Sequence, residues 1–323
     1  VEANIKLTHA RKTFKPFAYP WAFDLWERHE SMHWLPKEVP LHDDVKDWND
    51  KLTDADRSFL TNVFRFFVQG DVDVADGYVT NYLPYLPQPE VRMMLLSFAA
   101  REAVHVVAYS HLIETLGMPD TIYDEFIKYR EMADKHEYFE EINALDKNSI
   151  VQQIAAISAF TEGVQLFSSF AMLLNYPRHG KMKGMGQIIT WSILDETAHC
   201  EGMIRIFRTF VEENRAIWND SLKKQIYDIA RKMVELEDAF IDLCFSNNEF
   251  EGLTASDLKQ YIRYIADRRL IQMSLRGAFG VKDNPLPWID EMINAPIYGN
   301  FFENKVTDYA KGAAKGSWGD VWA

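Results

Sequence analysis

The sequence carries one four-residue pattern twice, Glu102-Ala-Val-His105 and Glu196-Thr-Ala-His199. In each, a carboxylate and an imidazole stand three residues apart, so on a helix both leave the same face about one turn apart. One such pair arises easily by chance. Two, each inside a strongly apolar helical stretch, point to two metal ions bridged by carboxylates within a four-helix bundle. That arrangement also takes one acid from each of the two remaining helices. Nothing else in the chain restricts the fold as tightly, because four helices must then present six side chains to one place.

The first of the two missing acids is Glu162. From Ile150 to Tyr176 the chain reads IVQQIAAISAFTEGVQLFSSFAMLLNY, in which Glu162 is the only charged residue. A segment apolar nearly all round is a buried helix, and an ionised carboxylate there must be paired, neutral or on a metal. Taken alone, Glu162 could equally be a buried acid bonded to a neighbour; beside two Glu-x-x-His pairs the metal is the better reading. The second acid lies in Asp71-Val-Asp73-Val-Ala-Asp76. Leu60, Phe64, Phe67, Val74 and Tyr78 mark a buried stripe, and Asp71 falls on it. Asp73 and Asp76 are turned away by roughly 200° and 140°, at about 100° per residue, which places them at the solvated edge. Asp71 is therefore the expected fourth acid.

Helical periodicity runs from Thr53 to Phe279 and no segment alternates with the period of a strand, so the expected fold is all-α. Thr53 can cap a helix to about Leu83; Pro89 can open one that Gly117 closes. A charged amphipathic helix is expected over Asp120–Asn143, the Glu162 helix ends at Pro177, and a long helix from about Gln187 carries the second pair. Two more are expected over Asp220–Ser246 and Ala255–Arg276. All four ligand-bearing helices must share one core, which makes this one domain. The net charge of −13 argues against a broad nucleic-acid surface. No apolar run reaches membrane-spanning length and no stretch reads as a secretory signal. With two cysteines, Cys200 and Cys244, in helical patterns, a reducing cytoplasm is the expected setting.

Four carboxylates and two neutral imidazoles form a hard, oxygen-rich set suited to iron or manganese, without the thiolates of a structural zinc site. Such a pair serves oxygen activation or iron oxidation and storage, and the surroundings discriminate. Tyr109 stands seven residues after Glu102 and four after His105, on the same face beside the metals. A buried Tyr is more often core packing; beside an oxidising centre it is also a phenol that can lose one electron. Asp195, just before Glu196, could accept the outer N–H of His105 and so orient that ligand, or could be an ordinary solvated acid.

Asp71, Glu102-x-x-His105-x-x-x-Tyr109, Glu162 and Asp195-Glu196-x-x-His199 together resemble the radical-generating small subunit of class I ribonucleotide reductase, a ferritin-like protein, over about Tyr19 to Ala323. His33-Trp34-Leu-Pro-Lys-Glu-Val resembles the family's aromatic-Trp-x-x-x-Glu-Val stretch, which implies a radical-transfer tryptophan at Trp34. Asn284-Pro-Leu-Pro-Trp288 resembles its Asn-Pro-x-Pro-Trp. Asn300 to Gly312 resembles the segment leading into its tail, with the redox tyrosine at Tyr309. The sequence departs from the pattern at His33, where Phe is usual, and at Leu194, where Arg often stands.

The resemblance implies a ferritin-like four-helix core with additional helices over 1–310 and a flexible tail over 311–323 that docks on a large catalytic subunit. It implies a dimetal centre, iron with two manganese ions as the alternative, which generates a tyrosyl radical at Tyr109. The radical equivalent then passes via His105, Asp195, Trp34 and Tyr309 to a cysteine of the large subunit, where ribonucleotides are reduced to deoxyribonucleotides. Leu166 and Phe170 match the apolar pocket of the radical, and retention of Asp71 and Tyr109 argues against the manganese–iron subgroup. A homodimer is implied, and a flavoprotein activase if manganese is used. The expected partners include no nucleic acid and no membrane. The alternatives are a ligand-binding oxidase on the same bundle and a ferritin-like iron store, whose chains are much shorter.

Overall fold

The computed structural model describes residues 6–143, 150–246 and 250–293. Those residues form helices and loops, with no strand among them beyond an isolated bridge between Phe250 and Leu253. The helices are α1 (Pro20–Ser31), α2 (His42–Lys46), α3 (Asp54–Gly77), α4 (Pro89–Thr115), α5 (Ile122–Glu125), α6 (Arg130–Asn143), α7 (Ile150–Ala155), α8 (Phe167–Arg178), α9 (Lys183–Glu213), α10 (Asp220–Phe245) and α11 (Ala255–Gln272). The contacts divide the chain into a body ending at Leu286 and a second unit from Pro287. Of the second unit, residues 287–293 are described, and they are helical. This is the all-α, ferritin-like architecture that the two motifs call for.

Local chemistry sets most boundaries. Thr53 and Asp56 form a reciprocal cap on α3, with Asp56 N–H donating to Thr53 Oγ1 at 3.1 Å and Thr53 N–H to Asp56 Oδ2 at 2.9 Å. Pro89 stands at the first position of α4, and Gly117 closes it with φ of 73°. Asn219 and Thr254 cap α10 and α11.

Several boundaries differ from the sequence reading. The long helix α9 begins at Lys183, ahead of Gln187. Carboxylates remote in sequence supply its cap: Asp44 accepts from Gly184 N at 2.8 Å and Met185 N at 2.6 Å, and Asp47 accepts from Met182 N at 2.8 Å. Pro177 lies inside the last turn of α8, which ends one residue later at Arg178. Its ring packs where a Cβ at Gly186 would stand, 2.7 Å away, so that glycine lets the end of α8 lie against the start of α9. The charged stretch after Asp120 is two helices joined by a 3₁₀ turn (Phe126–Lys128), with Arg65 of α3 ion-paired to Glu125 at 2.8 Å and lying over the Tyr129 ring. The last expected helix stops at Gln272, not Arg276.

Three stretches widen from α to π geometry, the first of them Asp47–Lys51 directly after α2. Tyr78–Tyr82 continues α3, and Ala156–Gln165 joins α7 to α8 and contains Glu162. Such wide turns concentrate at functional positions. The core lies where α3, α4, the α7–α8 segment and α9 face one another; α1 packs on α4 and α9, while α10 and α11 cover the π-helical segment from outside. α1 was not anticipated by the sequence reading.

Candidate metal centre

The four inner helices each turn acids inward at the same level. α3 contributes Asp71, α4 Glu102 and His105, the π-helical turn Glu162, and α9 Glu196 and His199, all essentially without solvent exposure. Their ligand atoms form two overlapping groups, Asp71–Glu102–His105 and Glu102–Glu162–Glu196–His199, each within 4.8 Å. Glu102 belongs to both. His105 Nδ1 lies 3.1 Å from Glu102 Oε2, 3.2 Å from Glu196 Oε1 and 3.7 Å from Asp71 Oδ2. His199 Nδ1 lies 2.8 Å from Glu102 Oε1, 3.5 Å from Glu196 Oε2 and 3.9 Å from Glu162 Oε1. The two neighbours of Asp71 point elsewhere: Asp73 pairs with His136 at 2.8 Å and Asp76 is exposed.

The electrostatics are those of a pocket short of positive charge. Burial and then Glu102 push the Asp71 carboxyl well above the ordinary carboxylate range, and burial pushes Glu162 the same way. Burial opposes charge on Glu102 too, yet His199 and His105 draw it down to about 2. Both imidazoles are held well above their usual value by the surrounding carboxylates against the effect of burial. Both oxygens of Asp71, Glu162 Oε2 and Glu196 Oε2 are buried without a hydrogen-bond partner. Buried carboxylate oxygens left unpaired are costly unless a cation completes them. The donor set fits two hard divalent ions, with Nδ1 of each histidine facing in.

Each histidine presents its outer nitrogen to a different partner. His105 Nε2 meets Asp195 Oδ2 at 3.1 Å, and the same oxygen accepts the indole N–H of Trp34 at 2.8 Å. The Trp34 ring lies near-parallel to His105, 5.9 Å between centroids. Asp195 is held below its usual range although burial works against this, because His105 and then Arg101 favour the anion. Arg101 Nη1 stands 3.7 Å from Asp195 Oδ2 and donates to the Met32 carbonyl at 3.1 Å, just ahead of Trp34. With Leu194 uncharged, the cation beside Asp195 comes from α4. His199 Nε2 instead meets His29 Nε2 at 3.1 Å. Burial, then His199, lowers His29 to about 3.

Tyr109 is buried against Phe67, 4.5 Å between centroids, and Phe67 in turn meets Phe170 at 5.3 Å. Its ring lies 6.3 Å from His105. Burial and Asp71 raise its pKa well above the usual phenol value, a hydrogen bond with Ser192 working the other way. Leu166 and Phe170 are buried. Tyr309 and the tail 311–323 lie outside the described residues.

The sequence reading did not assign site roles to four residues. Tyr78 donates its hydroxyl to Glu162 Oε1 and stands 6.2 Å from the His199 ring. A signal was present, since Tyr78 follows Asp71 by the same seven residues that separate Tyr109 from Glu102. Phe67 belongs to the apolar stripe that the sequence marks as core. His29 and Arg101 had no sequence signal, because their partners lie on other helices.

A family model described as "Ribonucleotide reductase, small chain" matches residues 11–285. The chain is 50% identical to the probable ribonucleoside-diphosphate reductase small subunit of Invertebrate iridescent virus 6, over 98% of this chain and 99% of that one. It is 31% identical to the ribonucleoside-diphosphate reductase subunit beta of Chlamydia pneumoniae, over 91% and 88%. Its fold is similar to that of the ribonucleotide reductase R2 subunit from Clostridium botulinum, with a TM-score of 0.83 at 24% identity, covering 90% of this chain and 94% of that one.

Proposed function

The chain belongs to the small-chain family of ribonucleotide reductase, the subunit that works with a large subunit, and on that premise we propose that it generates and exports a tyrosyl radical. Asp71, Glu102, His105, Glu162, Glu196 and His199 would hold two ions in this reading, Glu102 being common to both groups of ligand atoms. Iron is the expected pair and manganese the alternative, the latter with a flavoprotein activase. When bound, the ions would react with an external oxidant, dioxygen for iron or the oxidant delivered by an activase for manganese, and would then accept the electron that Tyr109 gives up.

Tyr109 gives up one electron and its phenolic proton. Burial disfavours a phenolate there, so the proton does not leave ahead of the electron. Phe67, Phe170 and Leu166 keep water from the ring. The hole then travels through His105, Asp195 and Trp34, and on through Tyr309, to a cysteine of the large subunit. The observation that carries this reading is the shared oxygen, Asp195 Oδ2, which joins Trp34 to His105 at 2.8 and 3.1 Å. A metal-binding bundle that only stored iron would have no use for that line. Nothing in the comparisons favours the ligand-binding oxidase or the iron store.

The body over 1–310 acts as one domain in this proposal and the tail over 311–323 docks on the large subunit. A peptide covering Ser317–Ala323 should compete for that subunit. A second copy of the chain has a surface to pair with: Leu96, Ala100, Ala103 and Val107 are exposed along one face of α4 at steps of four, three and four, with Val72 and Val79 exposed one heptad apart nearby in sequence on α3 and its π-helical end. A sedimentation monomer at micromolar concentration would contradict the homodimer. No helix among the described residues is long and apolar enough to cross a membrane; we propose a cytoplasmic protein that binds no nucleic acid. The central test is electron paramagnetic resonance on protein loaded with iron(II) and oxygen or, separately, with manganese and its activase. A tyrosyl signal that disappears in Tyr109→Phe supports the reading; turnover of that variant with the large subunit at the wild-type rate overturns it.

A further inference from the structure

A hydrogen-bonded chain leads from His199 to the protein surface through partners other than Trp34. His199 Nε2 meets His29 Nε2 at 3.1 Å, His29 Nδ1 meets Ser97 Oγ at 2.7 Å, and Ser97 Oγ donates to Glu30 Oε1 at 2.5 Å. His29 and Ser97 are buried, whereas Glu30 is exposed. The chain therefore starts at the floor of the bundle and ends at its surface, crossing from α9 to α1 to α4 and back to α1.

The donors can be arranged in one order only once His199 serves as a ligand. Its Nδ1 faces the carboxylates, so a neutral His199 carries its hydrogen on Nε2 and donates it outward. His29 Nε2 must then accept, which puts the His29 hydrogen on Nδ1, where Ser97 Oγ accepts it. The Ser97 hydroxyl is left to donate to Glu30, an acceptor only. Every group has one role and none conflicts. Asp195 Oδ1 stands 3.6 Å from His29 Nε2, beyond hydrogen-bond range, so it does not compete for that nitrogen. Phe98, edge-on at 5.1 Å, packs against the ring.

We propose that His29 is a positioning residue for one half of the centre: it accepts the outer N–H of His199, fixes that ligand's tautomer and orientation, and is itself fixed through Ser97 by the surface carboxylate of Glu30. Metal-bound histidines commonly take a carboxylate, a carbonyl or water in this role, and its loss costs ~10–100-fold in metal affinity. A neutral imidazole here makes the two halves of the centre unequal, because His105 leans on the anionic Asp195 while His199 leans on an uncharged ring. The ion served by Glu162 and His199 should accordingly depend on His29, and the ion served by Asp71 and His105 should not.

The inference rests on the dimetal reading, and the test separates the two. Metal-free full-length protein is titrated anaerobically with manganese(II) against a chromophoric chelator, and the spin-coupled pair is followed by electron paramagnetic resonance. Wild type should hold two ions per chain. His29→Leu should keep one ion at wild-type affinity, weaken the other by about 10–100-fold and lose the coupled signal at concentrations where wild type shows it. His29→Gln, whose amide oxygen still accepts, should restore both ions to within a few-fold of wild type; Ser97→Ala should fall between. Equal weakening of both ions in His29→Leu would mark a general packing defect and overturn the proposal, as would undiminished binding of both or a Gln variant no better than Leu. Wild type that binds no manganese(II) or iron(II) would remove the dimetal premise and the inference with it.

Discussion

The two Glu-x-x-His repeats are alike in sequence and unlike in surroundings. On the α4 side, His105 is backed by a buried anion, Asp195, which also binds Trp34 and lies near Arg101. On the α9 side, His199 is backed by His29 and a chain ending at solvent. A tyrosine stands beside each histidine at nearly the same separation, 6.3 Å for Tyr109 and 6.2 Å for Tyr78. Their hydroxyls differ: Tyr78 is bonded to a ligand carboxylate, Glu162, whereas Tyr109 sits in an aromatic pocket with Ser192 as its polar neighbour. In the proposed reading, the repeated motif places the metal pair and the residues behind it set the direction of the chemistry. On that reading the His105 side would carry charge out and the His199 side would only hold its ion.

The largest effect expected from this asymmetry is at Tyr109. Tyr109→Phe should lower turnover with the large subunit by about 10³-fold or more, the scale seen when a chemically participating group is lost, while metal stoichiometry stays at wild type. If that variant kept the radical signal and Tyr78→Phe lost it, the two sides would have to exchange roles. Trp34→Phe comes next: with the indole N–H gone from Asp195, turnover should fall roughly 100-fold, as misplacement of a transfer partner can cost, yet the Tyr109 radical should still form. Loss of both together would place Trp34 in radical formation rather than export. Asp195→Asn should weaken the His105-side ion by about 10-fold and spare the other in a manganese(II) titration, the mirror image of His29→Leu. Tyr78→Phe should do least. It removes one hydrogen bond to a carboxylate, worth about 1.5–3 kcal/mol, so thermal unfolding of the metal-free protein should shift down modestly while the radical signal persists.

Much of this centre was legible because helices convert sequence spacing into direction. The inward face of Asp71 and the outward turn of Asp73 and Asp76 followed from 100° per residue, and Glu162 announced itself as the only charge in an apolar segment. The same arithmetic would have reached Tyr78, had the step of seven from Glu102 to Tyr109 been repeated from Asp71. What could not be read were contacts between elements distant in the chain. α1 carries His29 to His199 across 170 positions, and the early start of α9 depends on Asp44 and Asp47, 140 and 135 positions from the amides they cap. Local capping rules look only a few residues to either side, so a helix capped by a remote carboxylate is invisible to them. The break after Glu125 was missed in the same way, since Arg65 belongs to α3.

Gly163 follows Glu162 directly, and Cys200 follows His199. Arg269 of α11 enters the space between them, its Nε donating to the Gly163 carbonyl at 3.1 Å; a Cβ at residue 163 would stand 2.7 Å from that nitrogen and 3.0 Å from the Cys200 sulfur. The spacing between the two backbones that carry Glu162 and His199 is therefore gauged, to the tolerance of one methyl group, by an arginine on a helix that adds no residue to the candidate centre. Adding that methyl would oblige the chain either to expel the arginine or to spread the backbones, and either adjustment would arrive at Glu162 and His199 one residue later.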